Sequence, residues 1–392
     1  MSTTINRRNW IKSGLIAAGG ITLAPKLSWA SSADSKRVNP QSIIWEVDHP
    51  SYLNDAPAMR ARLNANENPH GPSPEVKKAI ADAISSGNRY GHGDAFTLIG
   101  MIAEKEGVSP ECVMLGPGST DLLEKTAISR FIKGGNIVSA DPSYMSLINT
   151  AQAVGATWKP VPLTSDYAHD LPAMEKAVDS ETQLIYVCNP NNPIGSITNA
   201  EDLKSFCKTV SKKVPIFVDE AYLEFLEDPD TNTMVGLVSE GHDVIVARTF
   251  SKIHSMAGLR IGYIVATPER IKSITDMVRG TMGLCVTSVK GAIASMQSKE
   301  FCDQCKVLNT ASREYLCKEL DKLGYKYIPS YTNFVIFPLK KDTDGRAFSK
   351  ALTEQGVGVR MYSFKDEPWC RVSMGTMEEM QIFTDAFKKV TA

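Results

Sequence analysis

The feature that most constrains this chain is a set of short runs, apolar on both faces and separated by helix-like stretches. They fall at 112–115, 137–140, 184–188, 215–218, 244–247 and 261–266. A strand with one wet face alternates polar and apolar residues, whereas a run without alternation has to be covered on both sides. Such runs spaced by helices predict an α/β architecture with a mostly parallel, helix-covered sheet. Loops at the carboxyl ends of its strands are then the place for a ligand crevice. At 392 residues the chain has room for one large two-lobed unit or two domains with well-buried cores.

Ahead of the runs, Ser73-Pro74 opens a helix with Val76, Ile80 and Ile84 on one face, closed by Gly87. After about residue 270 the pattern changes. A long helical region (286–323) leads to an apolar run at 333–337, a helix near 344–355, short runs at 358–360 and 370–374, and a final helix. That order predicts a smaller α+β lobe meeting the first at a cleft. Lys plus Arg (43) nearly cancels Asp plus Glu (44), and no basic stripe stands out, which argues against a nucleic-acid partner. The cysteines sit singly, mostly in apolar runs, as free core thiols do. Cys302 and Cys305 form a C-x-x-C with no second pair and read as incidental, with no metal implied.

The first thirty residues differ from the rest. Arg7-Arg8 precede an apolar stretch at 14–24, too short to span a bilayer, which takes about 20 apolar residues. Ser28-Trp29-Ala30 offers a small-x-small cleavage pattern before Ser31. The segment resembles a twin-arginine (Tat) export signal, with Asn6 and Trp10 departing from the usual pattern. The expectation is a signal at 1–30, engagement of the Tat translocase and a periplasmic location; the alternative is a disordered extension. Residues 31–70, with Pro40, Pro50 and Pro57, read as an extended arm.

The strand-end loops carry the chemistry. Arg248-Thr249-Phe250-Ser251-Lys252 follows one apolar run, and Gly258-Leu259-Arg260 leads into the next. A lysine in an apolar loop can have its pKa lowered, which favours the free amine that imine chemistry needs. Ser251, Thr249 and Arg260 suit a phosphate monoester. Taken alone, the stretch could equally be a surface loop with a solvated lysine. Asp219, at another run's end, can hold a ring nitrogen protonated, and Tyr222 can hydrogen-bond a ring oxygen; a helix-capping aspartate is the other reading. Asn192 lies in the rigid turn at 189–195 and can reach the same oxygen. Gly116-Pro117-Gly118-Ser119-Thr120 opens a helix as an anion cradle, and Tyr144 can stack on a flat ring.

Together these motifs resemble the class I/II aminotransferases of fold type I, closest to histidinol-phosphate aminotransferases. Further elements carry the likeness: Leu63-Asn64-Ala65-Asn66-Glu67-Asn68-Pro69, Asn88-Arg89-Tyr90 and Arg371-Val372-Ser373-Met374-Gly375. The resemblance covers essentially the whole chain beyond residue 30. It implies a seven-stranded, mostly parallel sheet in a large domain (71–275), a small α+β domain (276–392) and an arm (31–70) joining the latter. It implies pyridoxal 5'-phosphate (PLP) held by Lys252 as a Schiff base. Asp219 would pair with the pyridine nitrogen, Tyr222 and Asn192 with the ring oxygen, and Tyr144 would stack on the ring. Gly118, Ser119, Thr120, Ser251 and Arg260 would hold the phosphate, with Tyr90 lent by the partner of a homodimer. Arg371 would bind the substrate carboxylate, Arg360 its distal group, and Asn333 and Thr249 carry over too. The activity implied is ping-pong transamination between an amino acid and a 2-oxo acid.

The segment 361–369 looks short for that family, carries three aromatics and lacks a proline after Arg360. His70 stands where the family commonly has Tyr; His70, His92 and His254 read as ordinary polar or packing residues. An exported enzyme should rarely meet histidinol phosphate, so an amino-acid donor is expected. Histidinol phosphate itself, and C–S lyase, decarboxylase or racemase chemistry, remain alternatives. A PLP-sensing regulator would need a DNA-binding module, for which 31–60 is too short.

Overall fold

The computed structural model describes residues 44–46, 58–281 and 283–391; the export-type segment 1–30 and most of the arm lie outside these. Two short strands come first, β1 (Ile44–Glu46) and β2 (Ala61–Arg62). Next are β3 (Val113–Gly116), β4 (Asn136–Asp141), β5 (Thr157–Pro162), β6 (Thr182–Cys188), β7 (Ile216–Asp219), β8 (Val244–Thr249) and β9 (Gly262–Val265). The last are β10 (Phe334–Pro338), β11 (Val357–Gly358), β12 (Arg360–Phe364) and β13 (Glu367–Ser373).

Strands β3 to β9 form a seven-stranded sheet in the order β3-β9-β8-β7-β6-β4-β5. All neighbours are parallel except β9, which runs antiparallel to both β3 and β8. The architecture is the α/β one that the doubly apolar runs imply. One face is covered by a core that includes Leu98, Ile185, Val218, Val246 and Phe206, the other by one that includes Phe131, Trp158, Phe217 and Ile245. Alternate residues of each strand go to opposite cores, which is why neither face can be polar. Strand β5 is not among the runs seen in the sequence. It is an edge strand with alternating burial, and an edge is where Pro160 and Pro162 can stand without breaking a ladder.

The direction of β9 has a geometric result. Thr249, at the end of β8, pairs with Gly262 at the start of β9, and Gly262 also pairs with Gly116 at the end of β3. The segment before β9 thus reaches the same sheet edge as the carboxyl ends of the parallel strands. Behind that edge lies a buried ion network. Arg248 Nε is 2.8 Å from Glu220 Oε2, Arg248 Nη2 is 3.6 Å from Glu106, and Glu220 also accepts from Thr233 and the Met234 N–H. Stranding one member of such a buried pair costs about 3–5 kcal/mol, so β7 and β8 are held in register beside their functional ends.

A second, antiparallel sheet has the order β1-β12-β13-β10, and β2 pairs in parallel with β11. Its core centres on Phe337, Phe348, Phe383 and Phe387, whose rings meet edge-to-face or tilted at 5.5–5.9 Å. The described residues all fall in one compact unit. Three sequence expectations are refined. The long helical region is two helices, Val286–Gln297 and Lys299–Lys322, which meet at Ser298. The run at 358–360 continues through β12, which turns at Lys365-Asp366, both with positive φ, into β13; the segment that looked short is a tight hairpin. The helix opened by Ser73 ends at Ala83 in a tighter 3-10 turn, leaving Ile84 66% exposed. Among the described residues, no helix is long and apolar enough to cross a membrane.

Candidate active site

The strand ends bring Asp219, Tyr222, Asn192, Tyr144, Ser119, Thr120, Ser251, Lys252 and Arg260 to one edge of the large sheet. Arg371 of β13, Asn333 just before β10 and the segment around Asn66, after β2, bond to these strand-end residues or to one another.

Lys252 donates from Nζ to the Asn66 carbonyl at 2.9 Å and lies 5.6 Å from the centre of the Tyr222 ring. Burial, with the Arg371 and Arg260 guanidinium groups, lowers its pKa from 10.5 to about 8, against the pull of Glu67 and Asp219. Asp219 is buried and accepts from Tyr186 Oη at 3.2 Å and the Ala221 N–H at 3.2 Å. Burial raises its pKa to about 6 even though those two donors oppose the shift. Among the described residues no ion pair reaches Asp219. A buried carboxylate short of a cation fits a protonated ring nitrogen.

Tyr222 shows its polarity through its neighbours. Asn66 Nδ2 donates to its hydroxyl at 3.0 Å and Asn192 Nδ2 at 3.4 Å. Both amide orientations follow from their far ends. Asn192 Oδ1 accepts from Arg371 Nη1 at 2.7 Å, and an arginine can only donate. The Asn66 N–H donates to Ser373 Oγ at 2.8 Å, leaving the serine to donate to Asn66 Oδ1 at 2.8 Å. With two amides donating to it, the phenolic oxygen has its own proton free to donate in a third direction. That suits an oxygen substituent on a bound ring.

The cradle is shaped by glycine. Gly118, at φ 82°, precedes the helix Ser119–Phe131, and no side chain caps that helix start. A Cβ at Gly118 would overlap the Arg260 guanidinium, and one at Gly262 would stand 2.7 Å from the Ser119 amide nitrogen. Arg260 itself holds a left-handed φ of 50° and donates to Ser251 Oγ at 3.3 Å and the Ala257 carbonyl at 2.9 Å. Uncapped helix amides, hydroxyls and a guanidinium meet here, the donor set for a phosphate. Thr249 Oγ1 donates to Ser251 Oγ at 2.9 Å, behind the cradle. Tyr144 is partly buried, its hydroxyl 3.5 Å from Thr120 Oγ1. The residues fit PLP at every part of that molecule: ring nitrogen, ring oxygen, aldehyde carbon and phosphate.

Arg371 is buried, stacked 5.1 Å from the Phe334 ring and 5.4 Å from the Tyr362 ring, and its Nε has no partner among the described residues. Arg360 is its cross-strand partner in the hairpin. Asn333, carried over as a substrate contact, donates to the carbonyls of Asn66 at 3.0 Å and Glu67 at 3.2 Å, so its amide holds that segment. Tyr90 is 90% exposed, stacks only on His92, and makes no hydrogen bond among the described residues; the chain does not fold it onto its own cradle. Asn66, Tyr186 and Ser373 had no role in the sequence reading. Asn66 and Ser373 do stand inside quoted motifs, and membership of those motifs is the available signal.

The family described as Aminotransferase class I and II matches residues 60–387. Histidinol-phosphate aminotransferase 1 of Cupriavidus pinatubonensis is 35% identical over 88% of this chain and 92% of its own length. The histidinol-phosphate aminotransferase of Moorella thermoacetica is 33% identical over 84% and 85%. The solved structure of histidinol-phosphate aminotransferase from Sinorhizobium meliloti, in complex with pyridoxal-5'-phosphate, superposes with a TM-score of 0.79 at 28% identity, covering 85% of this chain and 91% of that one.

Chemical labelling tests the assignment of the amine. In the cofactor-free protein, competitive acetylation of Lys252 is expected to titrate near pH 8, with a free-amine fraction at pH 7 about 300-fold above that of an ordinary lysine. Borohydride reduction of the loaded protein is expected to place the adduct on Lys252. An adduct on another lysine would overturn the assignment.

With its strand-end lysine, acid and phosphate cradle assembled on this fold, the chain belongs to the class I and II aminotransferases and is a PLP-dependent aminotransferase of fold type I.

Proposed function

We propose that this enzyme moves the amino group of histidinol phosphate onto a 2-oxo acid, in two half-reactions at one site. The carrying observation is the placement of Arg360 opposite Arg371 in the β12–β13 register. Like charges directly across a strand pair repel, and a phosphate dianion between them answers both. The carboxylates of the acceptor answer the same pair, so donor and acceptor take turns. The histidinol-phosphate relatives support this reading over the free amino-acid donor expected from the export-type segment. The bound cofactor supplies the electron sink for the substrate carbon. Lys252 Nζ moves the proton to and from that carbon, Asp219 keeps the ring nitrogen protonated, and Tyr222 donates to the ring oxygen.

A free amino-acid donor is the second reading, and one observation favours it. Tyr362, Phe364 and Trp369 pack together in the hairpin, and the Trp369 indole N–H is buried with no acceptor among the described residues. Values of kcat/KM decide, with histidinol phosphate set against a panel of amino acids and 2-oxoglutarate as acceptor. Histidinol phosphate is expected to lead by several orders of magnitude. A leading amino acid would replace it, and thiol release from cysteine conjugates without keto acid would point to elimination.

Two further proposals concern assembly and place. The exposed Tyr90 supports a homodimer in which it completes the partner's phosphate site. Mixed dimers of Tyr90→Phe and Lys252→Ala chains, in which the only intact lysine faces an intact partner tyrosine, should keep near-normal cofactor affinity per active site. Weakened affinity there, or a fully active monomer, would refute the arrangement. Arg7-Arg8 ahead of the apolar 14–24 stretch support Tat export to the periplasm. Replacing both arginines with lysine should retain the protein in the cytoplasm; unchanged location would exclude this route.

A further inference from the structure

On sequence His254 reads as an ordinary polar or packing residue, but its surroundings are charged. The ring is buried, with Nε2 3.3 Å from Glu224 Oε1 and Nδ1 2.8 Å from Ser295 Oγ and 3.3 Å from Cys302 Sγ. The Phe250 ring lies 4.8 Å away, and Lys105 Nζ sits 3.1 Å from the same Glu224 oxygen. The two ends of this pair belong to the two loops that matter most. His254 follows Lys252 by two residues in a turn closed by the Ser255 N–H to the Lys252 carbonyl at 3.0 Å. Glu224 follows Tyr222 by two residues in the turn that begins at Asp219. Between them, Ile253 packs with Tyr222, Phe225, Cys305 and Phe334.

We infer that His254 is a positioning residue for Lys252: its ion pair with Glu224 clamps the lysine's turn to the turn of Asp219 and Tyr222 and so fixes where the amine stands. This rests on Lys252 being the amine that carries the cofactor. The clamp closes from behind the site, and neither member reaches the Tyr222 hydroxyl or the phosphate cradle.

The pair is charged over the working range. Burial is the largest single influence on His254 and lowers its pKa, but the interactions with Glu224 and Cys302 together outweigh it and raise the value from 6.5 to about 9. Because the folded value lies above the unfolded one, the stabilisation is fully present below about pH 6.5 and is lost as pH rises through about 9. The groups facing the ring are Glu224 and, from the helices packed on it, Ser295 and Cys302. Lys105 and Arg248 act on it through Glu224. Of these only Glu224 is a carboxylate.

The test reads the amine itself. Cofactor-free wild type, His254→Phe and Glu224→Gln are compared by competitive acetylation of Lys252 across pH, with circular dichroism to verify the fold. Cofactor affinity is read from visible absorbance. Loosening the turn hydrates the amine and moves Lys252 toward an ordinary lysine. The titration midpoint should therefore rise by one unit or more, with labelling at pH 7 reduced about tenfold or more, in both variants. Cofactor affinity should fall in parallel. Cys302→Ser and Ser295→Ala, which touch the same ring without removing its charge pair, should leave the midpoint in place. If His254→Phe does not fold, Glu224→Gln decides, since it keeps volume and removes only charge. A folded variant with the wild-type midpoint and affinity overturns the inference, as does an equal shift in the two neutral controls. A borohydride adduct on another lysine in wild type would instead overturn the parent assignment.

Discussion

Asn66 joins the parts of the site. It holds a left-handed φ of 53°, and its atoms bond to Lys252, Tyr222, Asn333 and Ser373, residues at or beside strands of both the large and the small sheet. Its side chain can satisfy Tyr222 and Ser373 together only with the amide oriented one way, and Ser373 sets that orientation. Loss of the amide would free the Tyr222 oxygen to accept from elsewhere and leave its proton without a defined direction. The chemistry ascribed to Tyr222 thus depends on a residue far from it in sequence and on a serine in the small sheet.

The buried charges of the site complement the parts of the cofactor that the residues fit. Asp219 is short of a cation, and burial beside the Arg371 and Arg260 guanidinium groups lets Lys252 release its proton near pH 8. Around the helix that follows Gly118, uncapped amides meet the Arg260 guanidinium. By contrast, the ion network of Arg248, Glu106 and Glu220 is closed upon itself and belongs to the scaffold. The difference between a closed network and an open one separates structural charges from functional ones on the same strands.

Much of this was legible in the chain because it is local. Doubly apolar runs locate the central strands, and polar residues immediately after them locate the crevice. Other features depend on contacts that sequence order hides. Edge position alone lets β5 carry two prolines. Most of β12 lies in the segment 361–369 that only looks short, and its pairing with β13 is what makes it a strand. Ile84 sits on the helical stripe that should be buried, yet the helix tightens before it can turn inward. His254 reads as packing because Glu224, which makes it a cation, lies on another loop.

The antiparallel β9 also sets the order in which the site can be built. Strand β3 is at the sheet's edge and pairs only with β9, so the helix start that forms half of the cradle has no strand support until residues 262–265 have been made. Closing that pairing spans most of the large sheet, the kind of long-range step that comes late in folding. During synthesis, the phosphate cradle is therefore among the last parts of the sheet to be completed. Capture of the cofactor would then mark a chain whose central sheet has already closed, and its binding energy would be added at the end of assembly, where it opposes reopening.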